Sequence, residues 1–205
     1  MDDILIAMLC ERASDPKLAT DMSSKFPQLA PRPVDETSVS KAVTALGRAL
    51  PVLLRDLYRL VGDGGFGPGY GLLPLLEHSG PDQIDSVVSL YSALSATDPE
   101  DPTWAWPAAL VPFCEWGCAI RSCVDCSTRD GAVVTFDPGA RDAGEDMSAA
   151  VALTHPSLRS WLLDWLNGVK IWELMFEPDP SRARTGINPF TKEPLTLVPN
   201  KLRRP

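Results

Sequence analysis

Apolar positions recur along the chain at two intervals, three-to-four and two, and these predict helices first, a strand meander in the middle and a helix last. Near the start, Ile4, Met8 and Leu9, flanked by Leu5, predict a short helix over residues 1–12. The stretch Phe26-Pro27-Gln28-Leu29-Ala30-Pro31-Arg32-Pro33 reads as a linker, because each proline fixes φ and removes a donor. A helix is expected from Thr37 or Ser38 toward Leu46. After Leu50-Pro51, Leu53, Leu54, Leu57, Tyr58 and Val61 form a helical apolar stripe that Gly62-Asp63-Gly64-Gly65 stops. Gly67-Pro68-Gly69-Tyr70-Gly71 prolongs the loop, and residues 72–76 read as a short buried strand.

Ile84, Val87, Val88, Tyr91 and Leu94 predict a helix over 82–94, followed by the acidic loop Asp98-Pro99-Glu100-Asp101-Pro102. Residues 110–115, 118–125 and 132–136 read as strands, the last after an Asp130-Gly131 turn. Residues 137–147 are polar and contain glycine, as a surface loop would. Leu158, Trp161, Leu162, Trp165, Leu166, Val169 and Trp172 then step by three and four, predicting one long amphipathic helix. From Glu177 onward the Pro-rich chain is expected to be irregular. This order of elements makes the class α+β, without the alternation of a parallel sheet.

Composition narrows the function classes. The chain has 205 residues, 44% of them hydrophobic and 22% charged, enough to bury a core without disulfide or metal staples. Its 19 basic against 27 acidic side chains give a net charge of −8. That balance argues against nucleic acid as partner, since phosphate must be neutralised by a basic surface, and suits a basic protein partner. Residues 181–205 carry Arg182, Arg184, Lys192, Lys201, Arg203 and Arg204 against Glu193, a net +5 that leaves the rest of the chain at −13. This tail is expected to be solvated, with a clamp onto the acidic body as the alternative. The acidic N-terminus and the lack of a long apolar run fit a cytoplasmic chain rather than an exported or membrane-bound one.

Four cysteines, Cys114, Cys118, Cys123 and Cys126, fall within thirteen residues. Thiolates in fours suit zinc, but only four residues separate the second and third, and an extended strand would point Cys123 away from Cys118 and Cys126. Buried thiols are the expectation, with a zinc module as the alternative. Gly62 to Gly67 match G-x-G-x-x-G, but a helix precedes the match and a strand follows, the reverse of a dinucleotide site. With His78 and His155 the only histidines, and no metal, nucleophile or phosphate motif, no catalytic residue, metal or cofactor is assigned. Trp161, Trp165 and Trp172 lie on the helical stripe and belong to the core. Trp104, Trp106 and Trp116 sit in or beside loops with Asp98, Glu100, Asp101 and Glu115, the composition of a protein-binding hot spot, with rings packed over a sheet end as the equal alternative. These seven are the candidate partner-binding residues.

From Leu50-Pro51 through Leu54, Leu57, Tyr58, Gly64 and Gly65 to Gly67, followed by Gly71-Leu72-Leu73-Pro74-Leu75, the chain resembles the SUKH superfamily, bacterial immunity proteins related to a yeast cell-wall assembly regulator. Trp106-Pro107, Leu110-Val111-Pro112-Phe113, Trp116-Gly117 and Cys123-Val124-Asp125 resemble its central strands. Asn188-Pro189-Phe190-Thr191 resembles a C-terminal turn of some members. The resemblance implies helices packed on a curved mixed, largely antiparallel sheet, expected over residues 37–177; an N-terminal helix and linker (1–36) and a basic tail (178–205) lie outside it. It also implies a non-enzymatic role, binding and neutralising a cognate polymorphic toxin, often a basic nuclease. Leu54, Leu57, Tyr58, Gly64 and Gly65 are read as structural. A general scaffold or regulatory domain is the alternative, and no oligomeric state is assigned.

Overall fold

The computed structural model describes residues 3–22, 32–77, 85–142, 144–187, 194–197 and 200–204. Most of the linker, the start of the expected 82–94 helix, His78, the turn at 188–191, Lys192 and Glu193 lie outside them.

A four-stranded antiparallel meander, β1 (Leu110–Gly117), β2 (Ile120–Asp125), β3 (Ala132–Phe136) and β4 (Val151–His155), forms the centre of the chain. Side chains alternate across it and build two cores. Val111, Phe113, Val124 and Val133 face the helices, while Leu110, Cys123 and Phe136 form a smaller cluster with Met147 and Ala150 on the other side. On the first face sit α1 (Asp3–Ser14), α2 (Glu36–Leu46), α3 (Val52–Asp56), α4 (Val87–Ser95), α5 (Leu158–Leu166) and α6 (Ile171–Met175), grouped around one apolar cluster. Trp161 of α5 packs edge-on against Phe113 of β1, with ring centroids 5.1 Å apart. This is the α+β arrangement expected.

Local chemistry explains the boundaries. Asp35 caps α2 by accepting from the Ser38 N–H at 2.7 Å, and Gly47, in the left-handed region, closes its far end. Ser86 and Ser89 cap α4 reciprocally. The expected helix from Leu50 to Val61 runs only as α3 and then widens into a π turn over Leu57–Val61, closed by the Gly62 N–H on the Leu57 carbonyl. The wider turn keeps Leu57, Tyr58 and Val61 all buried beside Leu54, and Tyr58 donates its buried hydroxyl to the Leu73 carbonyl at 2.8 Å.

Residues 72–76 are a buried loop rather than the expected strand. Pro74 lacks a donor, and the segment hangs on the outer edge of β1 by a single bridge, Leu72 to Cys114, and the bond from the Leu73 N–H to Phe113. The glycines of the preceding turn press on it. Gly64 has φ +79°, and a Cβ there would lie 2.7 Å from the Leu72 carbonyl oxygen and 2.8 Å from the Pro74 nitrogen. The G-x-G-x-x-G match is therefore a turn packed against backbone.

Four further expectations are corrected. In α1 the buried residues are Leu5, Leu9 and Ala13, one turn apart, whereas Ile4 is 80% exposed and Met8 44%. The long helix over 158–172 breaks: Gly168, at φ +74°, ends α5 with paired bonds from Gly168 to Trp165 and from Val169 to Asp164, so Val169 leaves the stripe. β4 has no counterpart in the sequence reading, because as an edge strand it leaves Leu153 exposed and shows weak alternation. After Glu177 the chain is not irregular throughout: β5 (Phe176–Pro178) pairs with β8 (Asn200–Leu202), and β6 (Arg184–Ile187) with β7 (Pro194–Leu197). Leu202 is buried in the main cluster, and Arg204 donates to the Ser148 and Ala149 carbonyls. The end of the chain is held by strand pairing, one apolar anchor and carbonyl contacts.

A candidate partner-binding face

The second face of the sheet is covered by Trp104 and Trp106 beside Met147, Ala150 and Leu94 at the end of α4. Trp104 and Trp106 both set their rings edge-on to Phe136 of β3, at 6.3 and 5.0 Å. Each indole N–H is spent on backbone, Trp104 on the Leu94 carbonyl at the end of α4 (2.8 Å) and Trp106 on the Leu110 carbonyl at the start of β1 (2.9 Å). Both rings are half-buried, so they anchor the 96–109 segment while keeping an exposed edge.

The acidic loop ahead of Trp104 is folded by its own carboxylates. Asp98 accepts from the Glu100 N–H at 2.9 Å, and Asp101 from the Thr103 N–H at 3.1 Å. A second acidic loop, between β3 and β4, is drawn to it by one guanidinium. Arg141 donates through Nη1 to Asp101, through Nη2 to the Thr103 hydroxyl, and through Nε to the Glu145 carbonyl. The Arg141 hydrogen bond and those from Thr103 pull the Asp101 carboxyl down to about 2. With Arg141 committed to Asp101, the two loops together expose Asp98, Glu100, Asp142, Glu145 and Asp146. Asp146 caps the turn at Ser148, and that hydrogen bond lowers its pKa.

Arg141 and its loop were not among the residues selected from the sequence. The signal was present as three acids between residues 142 and 146, but nothing in a single sequence says that residues forty apart share a face. The other two selected residues lie elsewhere. Trp116 is buried on the helix side of the sheet, donates to the Ser122 hydroxyl at 2.9 Å and packs near Trp172. Glu115 is buried beside Arg121, 3.8 Å from its Nη1, with Asp85 on the other side of that guanidinium at 4.0 Å. Asp98, Glu100, Asp101, Trp104 and Trp106 are thus brought together, and Glu115 and Trp116 are not part of that group.

Because the clasp holds Asp101 well below the ordinary carboxylate range, its contribution is complete above pH 4 and is lost as pH falls toward 2. The indole N–H resonance of Trp104 is therefore expected to shift between about pH 4 and pH 2. In Asp101→Asn that transition disappears, and amide exchange at 141–146 is already faster at neutral pH.

Cys114 and Cys123 lie buried on opposite faces, Cys118 is exposed in the β1–β2 turn, and Cys126 is half-buried. Burial pushes the Cys114 and Cys123 thiols far up and Cys126 to about 11, which opposes the thiolate form that zinc requires. Among the described residues, no three His, Cys, Asp or Glu side chains converge as a metal site would need. His155 is buried with Nε2 3.0 Å from Asp164 Oδ2; burial lowers its pKa against the pull of that carboxylate. No helix among the described residues is long and apolar enough to cross a membrane.

An α+β chain with helices on one face of an antiparallel meander, opening on a Leu-Pro helix and a glycine stop, defines the class. The SMI1/KNR4 family (SUKH-1) model matches residues 33–164, and the chain belongs to that family. Its domains are commonly immunity proteins and generally non-enzymatic. Comparison with curated proteins and with solved structures finds no match.

Proposed function

We propose that this chain is a cytoplasmic immunity protein that binds a cognate polymorphic toxin and neutralises it without chemistry of its own. The observation that carries the reading is the acidic face: two loops forty residues apart, tied by Arg141, present five exposed carboxylates around two anchored tryptophans. A basic toxin of the nuclease type fits this face. Attraction between opposite fields raises association rates by roughly 10–10³-fold, and the same carboxylates occupy the charges that would receive substrate phosphates. The tryptophan edges supply apolar area that needs little ordering, because both rings are already held.

The test is co-expression with a toxin encoded beside this chain, with growth and calorimetric binding measured together. The expected result is restored growth and tight binding that weakens with added salt. Absence of both binding and rescue would overturn the reading for that pair.

A further inference from the structure

A groove of about 820 Å³ opens where α3, the β2–β3 turn and the first turn of α5 meet, and four arginines line it. Arg55 and Arg59 come from α3 and its π turn, Arg129 from the β2–β3 turn, and Arg159 from α5. In a chain of net charge −8 this is a local reversal of sign.

The turn lies close against the start of α3: a Cβ at Gly131 would come within 2.9 Å of the Pro51 ring, and Arg129 and Arg55 line the same groove. Arg59 is already paired with Glu36 at 2.8 Å. Among the described residues, Arg55 and Arg129 have no ion pair, and the buried Nε of Arg55 has no acceptor. The first turn of α5 carries no acid to oppose an incoming anion.

We propose that this groove binds an acidic peptide segment of a partner protein, with one carboxylate on Arg55 and another on Arg129. Guanidinium groups pair with carboxylates in a planar, two-pronged geometry, and two of them without an ion pair in one groove can each take a single carboxylate. Asp56 and Asp130 also line the groove and repel a dense dianion such as a phosphate, whereas single carboxylates set along a chain each meet their own arginine. Pro51, Leu53 and Val52, the last 62% exposed, give an apolar wall for the side chains between them. The groove is separate in residues and in sign from the acidic face, so this inference and the toxin reading fail independently.

The probe is a fluorescein-labelled hexaglutamate peptide, followed by anisotropy against the full chain, with pyrophosphate as competitor. Binding is expected, falling by about tenfold or more in Arg55→Gln with Arg129→Gln and unchanged by removal of the Asp101 clasp. Arg129 is on an exposed turn, so Arg129→Gln alone keeps the test sound if the double variant melts early; it is expected to weaken binding on its own. No binding, binding indifferent to Arg129→Gln, or displacement by pyrophosphate at equal concentration would each overturn the proposal.

Discussion

Replacing Trp161 by alanine is expected to lower unfolding free energy by about 3–5 kcal/mol, a third or more of what a domain of this size has. Trp161 is fully buried on α5 and packs edge-on against Phe113, so truncation opens a cavity where helix meets sheet. Trp161→Phe should cost much less than its lost volume suggests. Among the described residues the buried indole Nε1 of Trp161 has no acceptor, and an unsatisfied buried donor carries a penalty of about 1–3 kcal/mol that phenylalanine removes. Urea unfolding of the two variants measures the difference directly. Equal losses would mean that the indole N–H is satisfied in solution.

Reversing two charges on the acidic face is expected to slow association with a basic toxin by about tenfold or more at low salt, with the gap closing as salt is added. Glu100→Lys and Asp142→Lys are the informative pair. Their carboxylates are exposed and make no hydrogen bond or ion pair among the described residues, so each change should alter stability by no more than about 0.5 kcal/mol. Asp98, Asp101 and Asp146 are less suitable, since each holds local backbone through its carboxylate. Stopped-flow association at two ionic strengths separates steering from contact energy: loss in the on-rate marks steering, and loss in the off-rate marks direct pairing.

What was legible in the sequence follows from how local each cause is. Helix α2, the first three of the meander's four strands and the helix at Leu158 were visible because periodicity and turn residues act over a few neighbours. The π turn was not, since Leu57, Tyr58 and Val61 give the same stripe in either helix, and the Leu73 carbonyl that Tyr58 bonds lies fifteen positions on. Gly168 was present to end α5, yet the apolar spacing ran through it and outweighed it. β4 and β8 depend on partners far along the chain, Phe136 and Phe176, so their own residues signal little. The acidic face was half legible: composition marked residues 98–106, but Arg141 joins them to the second loop through space. Glu115 and Trp116 were drawn into the same group by adjacency in sequence, although successive residues on a strand face opposite sides.

The most direct measurement of the central claim is hydrogen–deuterium exchange of the chain with and without its toxin. The account predicts slowed exchange in residues 98–106 and 141–148, the two loops joined by Arg141, with the helix-side core unchanged. Protection that leaves both loops untouched and falls elsewhere, on the arginine groove for instance, would contradict it.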